Sequence, residues 1–299
     1  MSYIEIKNLT KDYGDNRGIF NMTINIEKGE TIGFVGTNGA GKTTTIRAMM
    51  GFIKPTSGSV TINGLDTWKD SMEVKKLVGY VPGEIAFPDD KTGESFLLRQ
   101  AQLNKTESLD YAYEMIDKLQ LDPTANLKRM SKGMKQKTAI AAALMNDSDI
   151  LILDEPTTGL DPLMRMEFLD IIKEEQKRGK TIFMSSHIFE EIEEVCDKVV
   201  LIKDGTILAT AVMNDIRHRQ IKTYEIEFKS FPKAEEFVKN ATYEVLKHDL
   251  LKVKIRIKDK QTNDFIKDIS KYNIKYIKEE KYTLGDFFDE VYEKEAKHV

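Results

Sequence analysis

Residues 30–51, ETIGFVGTNGAGKTTTIRAMMG, constrain the fold more than any other stretch of the chain. An apolar run of β character, Ile32, Phe34 and Val35, enters the sequence Gly36-x-x-x-x-Gly41-Lys42-Thr43, and a helical pattern, Ile46, Met49 and Met50, leaves it. The spacing predicts a strand, a glycine-rich loop and a helix. In that order, successive backbone N–H groups converge on phosphate oxygens at the positive end of the helix. A lysine at position 42 reaches the β- and γ-phosphates of a nucleotide, and the Thr43 hydroxyl is placed to ligate Mg²⁺. Gly36, Asn38, Gly39, Ala40, Gly41, Lys42, Thr43 and Thr44 form the expected phosphate cradle. A glycine-rich turn with a solvated lysine would explain neither flank.

A phosphate loop needs a partner for magnesium and water, and residues 148–162, SDILILDEPTTGLDP, supply one. Ile150 to Leu153 is a continuous apolar run, suited to a strand buried on both faces, and two carboxylates close it. Asp154 then stands at the C-terminal end of a central strand, where open α/β sheets bind ligands. From there it can hold Mg²⁺ through water, while Glu155, pointing the opposite way, can polarise an attacking water. The expected fold class is α/β, with a mainly parallel sheet.

Composition narrows the setting. The 299 residues suffice for one large domain, or for a domain with an appendage. A formal net charge of −4 provides no global basic field to recruit nucleic acid or anionic lipid, and no nucleic-acid partner is expected. The single cysteine, Cys196, rules out an intramolecular disulfide and fits a reducing, cytosolic compartment. Apolar runs such as TAIAAALM fall far short of the roughly 18 residues that a spanning helix needs. The N-terminus, MSYIEIKNLTKDYG, has no signal-peptide apolar region, so the chain is not expected to cross a membrane.

A third motif, Met130-Ser131-Lys132-Gly133-Met134, precedes a helix predicted over 133–145, just ahead of the strand at 150–153. Ser131 has the chemistry of an N-cap and Gly133 allows close backbone approach, so an anion can meet free N–H groups there. With the phosphate loop and the Asp154–Glu155 pair, this stretch resembles the signature of the ATP-binding-cassette ATPases, usually Leu-Ser-Gly-Gly-Gln. Lys132 and Met134 depart from that pattern. The resemblance runs from residue 1 to about residue 210 and implies a P-loop NTPase cassette that binds ATP with Mg²⁺, held by Thr43 and Asp154. It also implies that Ser131 and Gly133 bind the γ-phosphate of ATP held by a second subunit, in a homodimer or a heterodimer. Tyr13 matches the aromatic that stacks on adenine. Asp161, in Gly159-Leu160-Asp161-Pro162, matches the subunit-contact loop, and His187 matches the switch histidine near the γ-phosphate. Lys42, Glu155 and His187 are thus the expected catalytic residues. The family's glutamine after the strand ending GYVP is missing: Gly83 stands there, followed by Glu84.

Residues 86–147 turn helical, with an N-cap candidate at Thr92 and a second helical pattern in ESLDYAYEMIDKLQL, 107–121. In the family such an arm meets the coupling helices of a membrane subunit. The N-terminal strands alternate and read as an antiparallel flank on the mainly parallel sheet. One cassette core therefore fills 1–213. Residues 214–299, joined through NDIRHRQ (214–220), read as a small α+β domain: strand 223–229, helix 232–240, strands 242–248 and 251–258, helix 261–271, strand 273–280 and helix 284–296. That is the split-βαβ pattern of ferredoxin-like folds with one extra helix. Lys252, Lys254, Arg256 and Lys258 share one strand face, which reads as solvated and ion-paired with Glu225 and Glu227. The last helix carries Leu284, Phe287, Phe288, Val291 and Tyr292 on one stripe, suited to core packing or to a dimer contact.

These features together predict the ATPase subunit of an exporter whose permease is a separate chain, peripheral on the inner face of the cell membrane. The SKGMKQ form and the C-terminal appendage resemble bacterial subunits that export drugs, antibiotic peptides or lipids. The competing class is a soluble cassette ATPase acting on ribosomes or nucleic acid. Such proteins usually carry two cassettes or long coiled-coil insertions, and this sequence has neither.

Overall fold

The computed structural model describes residues 2–106 and 108–296. Met1, Glu107 (where the sequence begins its second arm helix) and residues 297–299 lie outside the described residues. The chain forms two compact units, Met1–Val212 and Met213–Val299.

The first unit runs β1 (Ile4–Asp12), β2 (Gly18–Ile26), β3 (Thr31–Val35), α1 (Lys42–Met49), β4 (Ser57–Ile62), β5 (Leu65–Asp66), α2 (Ser71–Leu77) and β6 (Val78–Val81). A helical arm follows, α3 (Gly93–Asn104), α4 (Asp110–Lys118) and α5 (Lys132–Leu144). Then come β7 (Ile150–Asp154), α6 (Pro162–Lys177), β8 (Thr181–Ser186), α7 (Phe189–Val195), β9 (Lys198–Lys203) and β10 (Thr206–Val212). Every residue of β3, β7 and β8 is buried, as in strands covered on both faces, and the few polar residues among them are hydroxyl side chains and the Asp154 carboxylate. They lie in a six-stranded sheet of order β10-β9-β3-β8-β7-β6, parallel except for β10 against β9.

The N-terminal strands form a sheet of their own, β2-β1-β4-β5, antiparallel throughout, and the antiparallel edge of the larger sheet is β10. The physical reason is their period: strands that alternate buried and exposed residues have one apolar face to cover, and a second layer covers it. Ile4, Ile6, Ile24 and Ile26 share one core with Phe34, Ile46, Ile152 and Phe183 from α1 and the larger sheet. Phe34 and Phe183 meet there with ring centroids 5.2 Å apart.

Register decides where chemistry can occur. Val35 pairs with Ser186, Asp154 with Ser185, and Val81 with Leu153, so β3, β8, β7 and β6 end at one level. The phosphate loop, His187, the two carboxylates and Gly83 all leave the sheet along that edge. The strand order jumps between β3 and β8, which is where open α/β sheets form their ligand crevice.

In the arm, Thr92 caps α3 through a reciprocal bond with Ser95, and Ser131 caps α5 by accepting the Met134 N–H at 3.2 Å. The arm is tied to the body of the unit by a buried polar cluster. There the Tyr111 hydroxyl on α4 donates to Glu175, which also pairs with Lys180 and with Arg178 at 2.9 Å.

The second unit contains α8 (Met213–Arg217), β11 (Ile221–Phe228), α9 (Phe231–Asn240), β12 (Glu244–Asp249), β13 (Lys252–Lys258), α10 (Thr262–Ile269), β14 (Ile274–Glu280) and α11 (Leu284–Ala296). Its antiparallel sheet has the order β12-β13-β11-β14, in which each βαβ pair is split by a third strand. Ile226, Phe228, Phe237, Val253, Ile255, Ile257 and Phe265 make its core. The stretch read as a connector is partly helical, because Met213 and Ile216, three apart, bury one apolar face of α8. Three of the four cations on β13 are ion-paired: Lys252 meets Glu225 at 3.5 Å, Arg256 meets Glu244 at 3.3 Å, and Lys254 pairs with Glu280, whereas Glu227, expected to face the strip, pairs with Lys275 at 2.8 Å. Among the described residues, no helix is long and apolar enough to cross a membrane.

Candidate functional site

The loop between β3 and α1 is held open by its backbone. Gly41 has φ 111°, a left-handed conformation that favours glycine, and an ideal Cβ there would lie 2.6 Å from an Ile19 methyl. It precedes α1 without any side-chain cap, and no acidic residue occupies the first helical turn. The first N–H groups of α1 therefore face the cleft with the positive end of the helix dipole behind them. Lys42, only 6% exposed, donates to the carbonyls of Gly36 at 2.7 Å and Thr37 at 3.3 Å, and pairs with Glu155 Oε1 at 3.2 Å.

The two carboxylates part company at the end of β7. Asp154 is fully buried; its Oδ1 accepts from the Ser185 hydroxyl at 2.7 Å, while its buried Oδ2 has no partner among the described residues. Glu155 turns away through a left-handed backbone, φ 49°, a conformation that costs a side-chain-bearing residue on the order of 1 kcal/mol. Its N–H donates to the Ser185 hydroxyl at 2.9 Å and to the Ser185 carbonyl at 3.2 Å, and these bonds hold the turn. The carboxylate emerges between Lys42 and His187, with His187 Nδ1 in direct hydrogen-bond contact with Glu155 Oε2.

Behind His187 lies a second, buried carboxylate. Glu191 accepts from Thr157 at 3.0 Å and from Ser186 at 2.9 Å, and Arg165 approaches it to 3.2 Å. Burial pushes the Glu191 carboxyl above the usual carboxylate range, against the opposing pull of those two hydroxyls and of Arg165.

Lys42, Asp154, Glu155 and His187 line one cleft of about 440 Å³, which Asn38, Gly39, Gly41, Thr43 and Thr44 enter from the loop side. Thr43 and Asp154 thus face the same space, as a Mg²⁺ ion with one carboxylate, one hydroxyl, phosphate oxygens and water would require. The orphaned Asp154 Oδ2 fits such an ion. Among the described residues, no three His, Cys, Asp or Glu side chains converge on a metal, so phosphate and water would complete the shell.

Gly83 and Glu84 form the opposite wall. An ideal Cβ on Gly83 would sit 3.0 Å from Asp154 Oδ2, so the backbone here occupies space that a side chain would need. Tyr80 and Arg47 also line the cleft. Burial, reinforced by the charge of Asp154, pushes the Tyr80 phenol up to about 12, so it stays a neutral donor.

The remaining expected residues lie outside this cleft. Gly36 and Ala40 are buried in the loop's own packing. Tyr13 is half-exposed in the β1–β2 turn, with the Lys11 ammonium 5.3 Å from its ring centroid. Ser131 is exposed at the N-cap of α5, and Asp161 is exposed at the N-cap of α6, accepting the Met164 N–H at 3.0 Å. Gly133 and Gly159 bring these two loops together: a Cβ on Gly133 would lie 2.7 Å from the Gly159 carbonyl oxygen.

Sequence reasoning missed Ser185, Glu191, Arg165 and Arg47. For the serine a signal existed: Ser185-Ser186 ends an otherwise apolar strand that is buried throughout, where hydroxyls need partners. The same holds for Glu191, which the helical period of α7 places on its buried face.

A family model described as ABC transporter matches residues 19–158. The chain is 37% identical over 235 residues to the bacitracin transport ATP-binding protein BcrA of Bacillus licheniformis, covering 77% of this chain and 76% of that protein. It is 33% identical to the linearmycin resistance ATP-binding protein LnrL of Bacillus subtilis, covering 72% and 71%. A solved ATP-binding subunit of an ABC transporter superposes with a TM-score of 0.66 at 30% identity, over 72% of this chain and 92% of that structure.

Proposed function

The chain belongs to the ABC transporter family as an ATP-binding, ATP-hydrolysing subunit, and on that premise we propose that it powers export through a separate membrane permease. Its cargo class is that of the relatives whose names speak of bacitracin transport and linearmycin resistance: an antibiotic or another membrane-active molecule. The observation that carries the reading is the convergence of Lys42, Thr43, Asp154, Glu155 and His187 on one cleft at the sheet edge. In it, Lys42 and the α1 N–H groups bind the phosphates. Thr43 and Asp154 hold Mg²⁺, whose positive charge offsets that of the phosphate oxygens. Glu155, oriented by His187, accepts a proton from the attacking water.

Ser131, Gly133 and Asp161 act on the nucleotide of a second copy or of a related cassette. Their exposed position away from their own cleft is what a trans-acting pair of loops needs. Tyr13 stacks on the adenine, and Asn38, Gly39, Ala40, Gly41 and Thr44 cradle the phosphates. The dimer sits on the inner face of the cell membrane only through its permease, which the helical arm contacts. Co-expression with a candidate permease provides the test. Sedimentation with membranes only in the presence of that permease, together with ATPase activity that the transported molecule stimulates, is the expected result. Co-sedimentation with ribosomes and no response to any permease would refute it.

A further inference from the structure

A second cavity, of about 350 Å³, lies between the turn carrying Gly83, Glu84 and Ile85 and the first turn of α5, where Lys132, Lys135 and Gln136 complete its lining. Gly83 and Glu84 line this cavity and the nucleotide cleft alike, so the two adjoin along that wall. Three observations give the second cavity a chemistry. Lys132 and Lys135 have no ion-pair partner among the described residues, although carboxylates neutralise many lysines elsewhere in the unit. Gln136 is only 2% exposed, yet its Nε2 has no hydrogen-bond partner among the described residues. A buried donor left without an acceptor is costly enough that native structures normally fill it. Thirdly, α5 is 13 residues long, carries no acid in its first turn, and presents the positive end of its dipole to the same space.

Against these donors stands one carboxylate, that of Glu84, which makes no ion pair with either lysine. This combination is selective. Inorganic phosphate near neutral pH keeps a proton on one oxygen, which donates to a carboxylate, while its other oxygens accept from the ammonium and amide groups. Sulfate has the same size and shape but no proton to donate, so the same carboxylate repels it.

We propose that this cavity is a binding site for inorganic phosphate, the product of the hydrolysis carried out in the adjoining cleft. Lys132, Lys135 and Gln136 supply the donors, and Glu84 is the acceptor that distinguishes phosphate from sulfate. Product leaving the cleft past Glu84 enters a site of opposite charge before reaching solvent. This needs only the ATPase chemistry and is independent of the export reading.

The test uses the full chain saturated with MgADP, which occupies the phosphate loop, titrated calorimetrically with inorganic phosphate and, separately, with sulfate. Wild type should bind phosphate saturably and sulfate about tenfold more weakly, the loss expected for one charge-assisted hydrogen bond. Lys132→Met with Lys135→Met should weaken phosphate binding by roughly tenfold or more while MgADP affinity, measured on the same sample as the control for folding, stays unchanged. Glu84→Gln should bring phosphate and sulfate to similar affinities. Phosphate binding that survives both lysine replacements belongs to the position beside ADP and overturns the proposal. So does binding that never saturates, which marks an adventitious ion only. Equal affinity for phosphate and sulfate in wild type overturns the role of Glu84 and with it the assignment to phosphate.

Discussion

Replacing Gly133 by alanine probes the contact between the first turn of α5 and the loop before α6. An ideal Cβ at position 133 lies 2.7 Å from the Gly159 carbonyl oxygen, whereas ordinary van der Waals contact begins at 3.4 Å. The shortfall, 3.4 − 2.7, is about 0.7 Å, and backbone must supply it. Gly159 cannot easily give way, because its φ is 89° and the stem of Lys132 lies where its own Cβ would be, 2.9 Å away at the nearest atom. Overpacking of this kind costs about 1–3 kcal/mol. Removing a glycine from a helix returns about 0.5–1 kcal/mol. The net loss, about 0–2.5 kcal/mol and centred near 1 kcal/mol, corresponds, for a unit of this size, to a fall in Tm of about 2–4 °C at the centre and up to about 10 °C. Scanning calorimetry on wild type and G133A measures it. Because Gly133 does not line the nucleotide cleft, monomeric binding of a fluorescent ATP analogue should change by less than about twofold, a difference of a few tenths of a kcal/mol. ATP-driven dimerisation should fall with the displaced signature turn. A melting temperature equal to or above that of wild type would show that the turn accepts a methyl group, and the argument from close backbone approach would fail.

Three further substitutions address the cleft. Lys42→Ala removes the phosphate donor and leaves Glu155 without its cation, so nucleotide affinity should drop by roughly tenfold or more, whereas Glu155→Gln should bind MgATP and accumulate a dimer with little turnover; near-normal single-turnover hydrolysis by Glu155→Gln removes Glu155 from the chemistry. Gly83→Gln, which restores the residue common in the family, should lower MgATP affinity severalfold. The new Cβ arrives 3.0 Å from Asp154 Oδ2 and displaces a carboxylate held by Ser185, so tighter binding of MgATP would contradict this packing. Glu191→Gln addresses pH. The folded-state pKa of Glu191 is raised from 4.5, so the folded chain holds its proton more readily than the unfolded chain. The associated stability is therefore present at low pH and declines as pH rises through the raised value. The variant lacks that decline, so its Tm relative to wild type should climb as pH rises above 4.5, and a pH-independent difference would count against the burial of that charge.

The parts of the fold that could be read from sequence are those fixed by local pattern. The apolar run of Ile32, Phe34 and Val35 marked β3, the continuous run Ile150 to Leu153 marked β7, and the hydroxyl side chains of Thr92 and Ser131 marked the starts of α3 and α5 to within a residue. In the second unit, clean alternation over β13 identified both its buried face and the cations that face Glu225, Glu244 and Glu280. What escaped depends on residues distant in sequence. That the N-terminal strands make their own sheet follows from which surface covers their apolar face, and no window of the sequence contains that surface. The approaches of Gly133 to Gly159 and of Gly83 to Asp154 are equally non-local. A glycine in sequence says that the backbone is unhindered; only the fold says by what it is approached.

The Gly83 contact also bears on why the two carboxylates at the end of β7 sit as they do. Asp154 is fixed from one side by Ser185, and on the other the Gly83 backbone approaches without a side chain, which leaves its second, buried oxygen without a hydrogen-bond partner among the described residues. Glu155, one residue on, is turned by its left-handed backbone toward Lys42 and His187 instead. Adjacent carboxylates are thereby given separate partners, a hydroxyl for one and two nitrogen bases for the other. At 3.2 Å the gross Coulomb attraction between Lys42 and Glu155 is on the order of 5 kcal/mol at an effective dielectric near 20. A phosphate group entering the loop competes with Glu155 for that same ammonium and carries more negative charge than the carboxylate it displaces. As Lys42 turns to the phosphate, Glu155 loses a cation and keeps His187. Binding of the phosphate and the pairing of the carboxylate are therefore coupled through one lysine.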